Sequence, residues 1–170
     1  STAACGIAMG GFKVLLLEEH AQIGVPLHCS GLVSPRTLDE AGMDESLVVN
    51  RLAGAHIHSP SGRMLTLGDG RQRALVIDRV GFDRALVTRA QERGAELVTG
   101  AKLVGAQQEQ GGVAVSVQRD GATTTVHTCL LVGADGAHSR VARVMGMGGP
   151  EERVFSLGAE GTLHGSDATH

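Results

Sequence analysis

A chain of 170 residues with 42% hydrophobic and 19% charged residues has apolar content for a packed core and no bias toward disorder. Its formal net charge of -3, the absence of Trp and Tyr and the presence of only three Phe argue against a nucleic-acid partner, which would need a basic footprint or aromatic stacking platforms. No apolar run reaches the roughly 20 residues that span a bilayer, and the N-terminus has no charged start or cleavage site of a signal peptide, so a cytoplasmic location is expected.

In chain order, TAACGIAM reads as a helix of small residues, and Lys13 to His20 as a strand whose continuous apolar run, Val14 to Leu17, suits a parallel sheet buried on both faces. The strand ends in Glu18, with Glu19 beside it. In a dinucleotide-binding βαβ unit, a G-x-G-x-x-G turn opens the helix, and an acid about 20 residues on accepts hydrogen bonds from ribose hydroxyls. Glu18 fits that acid. Counting back from it places the turn's third glycine just before Ser1, so the phosphate loop and first strand are expected to lie ahead of this chain, which reads as a fragment. The competing reading of this segment is a buried strand and nothing more.

The segment GVPLHCSGLVSP is a Gly- and Pro-punctuated loop, after which Ser34 and Pro35 supply a cap and first-turn residue for a helix through Ala41. Ala53 to Ser59 and Met64 to Leu67 alternate around Ser61 and Gly62 as a hairpin. Its His56 and His58 fit a solvent-facing strand better than a metal site, and Cys5, Cys29 and Cys129 show neither a disulfide framework nor zinc spacing. Arg73 to Ile77 is a further strand. From Arg79 to Arg93 the positions Val80, Phe82, Leu86, Val87 and Ala90 recur at helical spacing, with Asp78 as cap and Gly94 as stop. Glu96 to Thr99 is a short strand. Residues 101–128, broken by Gly111 with Gly112 and by Asp120 with Gly121, predict a three-stranded antiparallel meander, since Asp-Gly between alternating segments favours a tight hairpin. Cys129 to Val132 predicts another buried parallel strand, leading into GADGAHSRVAR.

Four segments in this order, VLLLEEH, DRVGFDRALVTRA, the meander and GADGAHSRVAR, resemble the FAD domain of flavin-dependent oxidoreductases of the aromatic-hydroxylase type. HCSGLVSP is similar to the cysteine-containing flavin loop of the geranylgeranyl reductase family, in which Cys, a small residue and Gly stand eleven residues after the ribose acid, as Cys29 stands after Glu18. The resemblance implies an α/β fold: a Rossmann-type FAD-binding domain with a mixed, mainly parallel sheet and an inserted antiparallel β-meander. Residues 1–170 are then a partial FAD-binding domain, with the start of a substrate-domain strand at about 153–163.

For function, the resemblance implies an FAD-dependent oxidoreductase that reduces isoprenoid carbon–carbon double bonds, with NAD(P)H as a possible electron donor and lipid-like substrates met at a membrane surface. It places Glu18 and Glu19 at the ribose and Cys29 near the reacting flavin as the candidate catalytic group. Ser30, Gly31 and Leu32 lie along the flavin, where Gly24, Ser30 and Gly31 are small enough for close backbone approach. Arg79 falls at the phosphate and ribose region, where a fixed cation suits a pyrophosphate. The backbone at Leu103, or at Lys102 or Ala101 if the register shifts, falls at the adenine, and Asp135 with Gly136 at the flavin phosphates. Simpler readings stand beside these: Cys29 as a small core residue, Arg79 as a surface partner of Asp83, and Asp135 as a helix cap. Arg140 and Arg143 read as surface charges. Two further functional readings are a flavin monooxygenase and a non-catalytic nucleotide-binding module, the latter because a site without its glycine loop loses the pyrophosphate's backbone donors.

Overall fold

Small side chains, apolar runs and Gly turns partition the chain into α1 (Thr2–Met9), β1 (Val14–Glu18), β2 (Leu32–Val33), α2 (Pro35–Ala41), β3 (Val48–Leu52), β4 (Gly54–His58), β5 (Met64–Gly68), β6 (Ala74–Ile77), α3 (Arg79–Glu92), β7 (Ala95–Thr99), β8 (Lys102–Glu109), β9 (Gly112–Arg119), β10 (Ala122–Thr128) and α4 (Arg140–Val144). The computed structural model describes residues 1–27, 29–154 and 156. They fall into two units, one containing Ala3–Ile23 and Ala90–Ser156, the other Gly24–Arg89.

In the first unit, the small residues of α1 do what their size permits. Ala4, Cys5 and Ala8 are buried against Ala90 and Ala95, with half-buried Val14 and Leu16 packed on the same cluster. β1 pairs in parallel with β7 in register from Val14 opposite Ala95 to Glu18 opposite Thr99, and the connection between them ends in α3, as parallel strands require a crossover. The meander forms as read, in the order β10-β9-β8. Asp120 and Gly121 carry φ of 51° and 79°, the positive values that a type I′ hairpin turn demands at both central positions. Val113, Val115 and Val117 alternate inward from β9, and with Ala101 they form a buried core flanked by Leu17, Val98, Leu103, Leu131 and Met145. At roughly 1.5 kcal/mol or more per buried Val, this one face anchors the meander.

The segment Cys129 to Val132 is not a strand. No described strand pairs with it, and an apolar run becomes a strand only where a ladder partner takes its backbone groups. Leu131 turns into the meander core, whereas Leu130 and Val132 are 68% and 51% exposed. Among the described residues the parallel component is the β1–β7 pair alone, and the other ladders are antiparallel. Of the strand expected at about 153–163, residues 155 and 157–163 lie outside the described residues, and Arg153, Val154 and Ser156 are not in a strand.

In the second unit, β2, β6 and β3 form an antiparallel sheet in that order. Leu38, Leu75, Ile77 and Phe82 are its buried core. Pro35 occupies the first turn of α2, and Gly42, at φ 60°, ends it. Ser34 caps by position only, since its hydroxyl meets that of Thr37 and no backbone N–H. The Arg89 guanidinium of α3 donates to the Ala41 carbonyl at the end of α2. Asp78 caps α3 by accepting from the Gly81 amide at 2.9 Å. The expected β4–β5 hairpin forms, with His56 opposite Thr66 and all ten residues exposed.

Candidate functional site

At the C-terminal end of β1, Glu18 Oε1 accepts from the His20 amide at 2.9 Å and lies 2.7 Å from His20 Nδ1. Both contacts fall on one carboxylate oxygen, which leaves Oε2 uncommitted among the described contacts. Glu19 pairs with Lys102 Nζ at 2.6 Å. The Lys102 hydrogen bond holds the Glu19 carboxyl below the usual range, against a smaller desolvation effect. The Ala101 amide donates to the Glu18 carbonyl at 2.9 Å and the Gly100 amide to the His20 carbonyl at 3.0 Å. These bonds tie the start of the meander to the end of β1. Of the three residues considered for adenine, Ala101 has its amide committed and Lys102 its ammonium. Leu103 packs its side chain against the meander core and sits opposite Val117 where the β8–β9 register slips.

In the other unit, Gly24, Pro26, Leu27, Cys29, Arg79 and Asp83 line a pocket of about 210 Å³. Two glycines bring the loop there. At Gly31, φ is +72° and an added Cβ would stand 2.3 Å from the Ile77 carbonyl oxygen; at Gly24, φ is +76° and a Cβ would stand 3.1 Å from the Val80 Cα. At both positions the close approach is to the β6–α3 junction. The Ile77 amide donates to the Gly31 carbonyl at 3.0 Å, and the Gly31 amide donates to Cys29 Sγ at 3.4 Å. Cys29 is exposed, so it is not a buried core thiol. Ser30 is exposed beside it, and Leu32 in β2 is 53% exposed.

Arg79 Nε donates to both oxygens of Asp83, at 3.0 and 3.1 Å. Partial burial works against the Arg79 charge, but the Asp83 carboxylate outweighs it and nearby Cys29 adds to it, so the guanidinium is held above its ordinary pKa. The surface pairing with Asp83 is therefore real. Arg carries five N–H donors, so the pairing through Nε leaves those of the terminal nitrogens, and Cys29 also engages the guanidinium.

Asp135 is a helix cap. Its Oδ1 accepts from the Ser139 hydroxyl at 2.5 Å, and its Oδ2 accepts from the amides of Arg140 at 2.6 Å and Val141 at 3.1 Å. Burial pushes the carboxyl up, but the Ser139 and backbone bonds prevail and hold it below its ordinary value. Gly136 supplies a turn at φ +77°, and a Cβ at Gly133 would stand 2.9 Å from Val141 Cβ and Cγ1. With a depressed folded-state pKa, the carboxylate's contribution is present above its unfolded value of 3.8 and is lost as pH falls through the lower folded value. Asp135→Ala is expected to cost about 1 kcal/mol at neutral pH, as cap removal does, and the gap from wild type should narrow below pH 3.8. Urea unfolding at pH 7 and pH 3 measures both.

Among the described residues, no group of three or more His, Cys, Asp or Glu is placed to hold a metal ion, and no helix is long and apolar enough to cross a membrane.

Comparison with known families decides between a generic nucleotide fold and a specific one, for residues 2–166 match the FAD binding domain family. The chain belongs to that family. The FAD binding domain is 34% identical over 152 residues to digeranylgeranylglycerophospholipid reductase 1 of Methanococcoides burtonii, covering 86% of this chain and 37% of that protein. Among solved structures it resembles a geranylgeranyl bacteriochlorophyll reductase-like protein from Thermoplasma acidophilum, with TM-score 0.75 and 30% identity over 86% of this chain and 38% of that one. It also resembles an anhydrotetracycline hydroxylase from Streptomyces rimosus, with TM-score 0.69 and 30% identity over 85% of this chain and 31% of that one. The chain thus spans well under half the length of each of these relatives.

Within the FAD binding domain, the structure gathers Glu18, Glu19 and Leu103 in one unit and Cys29, Ser30, Gly31, Leu32 and Arg79 in the other, with Asp135 and Gly136 in the turn into α4. Sequence reasoning did not single out His20 or Asp83 as site residues. Spacing gives Asp83 only as a surface partner of Arg79, one helical turn away, and His20, two residues past Glu18, carries no such signal.

Proposed function

We propose that this FAD binding domain belongs to an FAD-dependent reductase of isoprenoid carbon–carbon double bonds. The observation that carries the reading is the pocket shared by Cys29 and Arg79, in a chain whose relative is named a digeranylgeranylglycerophospholipid reductase. Glu18 accepts the ribose hydroxyls with the oxygen His20 leaves open, Arg79 neutralises phosphate charge, and the backbone at Leu103 meets the adenine. Asp135 sets the GADG turn so that Gly136 lies along the cofactor phosphates. Bound FAD supplies the hydride chemistry. The Ser30–Leu32 main chain lines the flavin, and Cys29, on the pocket wall, contacts the ring or the substrate's reacting carbon. NAD(P)H is the proposed electron donor, and a lipid-like substrate brings the intact enzyme to a membrane surface. The similarity to an anhydrotetracycline hydroxylase supports flavin-dependent ring hydroxylation as the second reading.

Flavin fluorescence titration of wild type and Glu18→Ala tests the cofactor half. Loss of a charged hydrogen-bond acceptor should weaken FAD about 10- to 100-fold, and equal affinities would remove Glu18 from the ribose. Product analysis tests the chemistry. A geranylgeranyl lipid incubated with reduced cofactor should gain two hydrogens per double bond, and oxygen insertion into an aromatic substrate would favour hydroxylation instead.

A further inference from the structure

The Arg79–Asp83 pair is poorly explained as a helix-stabilising contact. Arg79 is the first residue of α3, where the helix dipole disfavours a cation, and a basic residue four positions before an acidic one is the weaker order for such pairs. Yet its side chains, at 37% and 28% exposure, are the least exposed of the ion pairs among the described residues. Arg36 and Glu40, in the same order on α2, are 81% and 63% exposed and meet through one contact. Both members of the Arg79 pair line the pocket with Cys29.

We propose that Asp83 is a positioning residue. By gripping Nε of Arg79 with both carboxylate oxygens, it fixes the guanidinium plane at the Cys29 pocket and leaves the terminal N–H groups that Cys29 does not engage to receive a phosphate oxygen of the cofactor. A guanidinium free to rotate would spend binding energy on ordering itself, and a second-sphere carboxylate removes that cost in advance. The inference rests on the reading that Arg79 meets a phosphate, and it adds the residue that aims it.

Two measurements on the full chain separate this inference from that reading. The first needs no cofactor: hydrogen exchange at Arg79 Nε, identified in nitrogen-15 spectra by its loss in Arg79→Lys. It should be about tenfold slower in wild type than in Asp83→Asn, as for a hydrogen bond worth about 1.4 kcal/mol. Equal rates would overturn the proposal. The second compares FAD with riboflavin, which lacks phosphate. Asp83→Asn should weaken FAD about tenfold, leave riboflavin unchanged, add little in an Arg79→Gln background, and be partly rescued by Asp83→Glu. Wild type that binds FAD no better than Asp83→Asn would overturn the positioning role. Wild type that does not bind FAD would instead remove the cofactor reading, and the exchange rates would still decide whether Asp83 fixes Arg79.

Discussion

Gly31→Val is expected to cost at least about 3 kcal/mol. A β-branched residue at φ +72° is strained on backbone grounds alone, and its Cβ would sit 2.3 Å from the Ile77 carbonyl oxygen, so β6 would have to move. That carbonyl belongs to a residue of the Leu38–Leu75–Ile77–Phe82 core, and the loop that displacement would disturb carries Cys29. Against a typical domain stability of about 5–15 kcal/mol, such a loss removes about a fifth to three fifths of the stability and lowers the folded-to-unfolded ratio by more than about 100-fold. Urea unfolding followed by backbone circular dichroism measures it, with Gly6→Ala as control. Gly6 has open space around it and lies inside α1, where Ala should be neutral or better. A Gly31→Val chain as stable as wild type would show that the loop does not lie against β6 as described.

The second large effect is at the meander. Val115 is 3% exposed on the central strand, and Val115→Asp places a carboxylate in the apolar cluster of Ala101, Val113 and Val117. The expected cost is about 3 kcal/mol or more at neutral pH. Desolvation raises the folded-state pKa of such an acid, so the penalty should be greatest above that value and shrink as acidification neutralises the group in both states. Comparing Val115→Asp with Val115→Ala at pH 7 and pH 4 isolates the charge. A constant difference between the two variants would mean that position 115 reaches solvent.

Legibility followed the strength of local signals. The small-residue helix, the apolar strand ending at Glu18, the α3 periodicity with its Asp78 cap, and the Asp120–Gly121 turn are local devices, and each took the predicted form. β2 is only two residues inside a Gly- and Pro-rich loop, and β3 interrupts its apolar residues with Asn50 and Arg51, so neither carries a period that marks a strand. The segment Cys129 to Val132 has the composition of a buried strand, but pairing is a property of neighbours and not of composition. Around the candidate site, the Asp83 partner of Arg79 and the capping by Asp135 were legible from local spacing, and the approach of Gly31 to Ile77 was not. Gly31 is small because of Ile77, Asp135 is committed to capping α4, and Asp83 holds Arg79. Only the first depends on where distant segments meet; the other two lie in the turn into α4 and within α3.

Cofactor retention tests the central claim most directly. The purified chain is incubated with excess FAD, desalted, and its visible spectrum recorded against protein concentration. The account predicts one flavin retained per chain, with an absorption band shifted from that of free FAD, as expected when a protein environment surrounds the ring. A desalted chain that is folded by circular dichroism yet carries no flavin absorbance would contradict it.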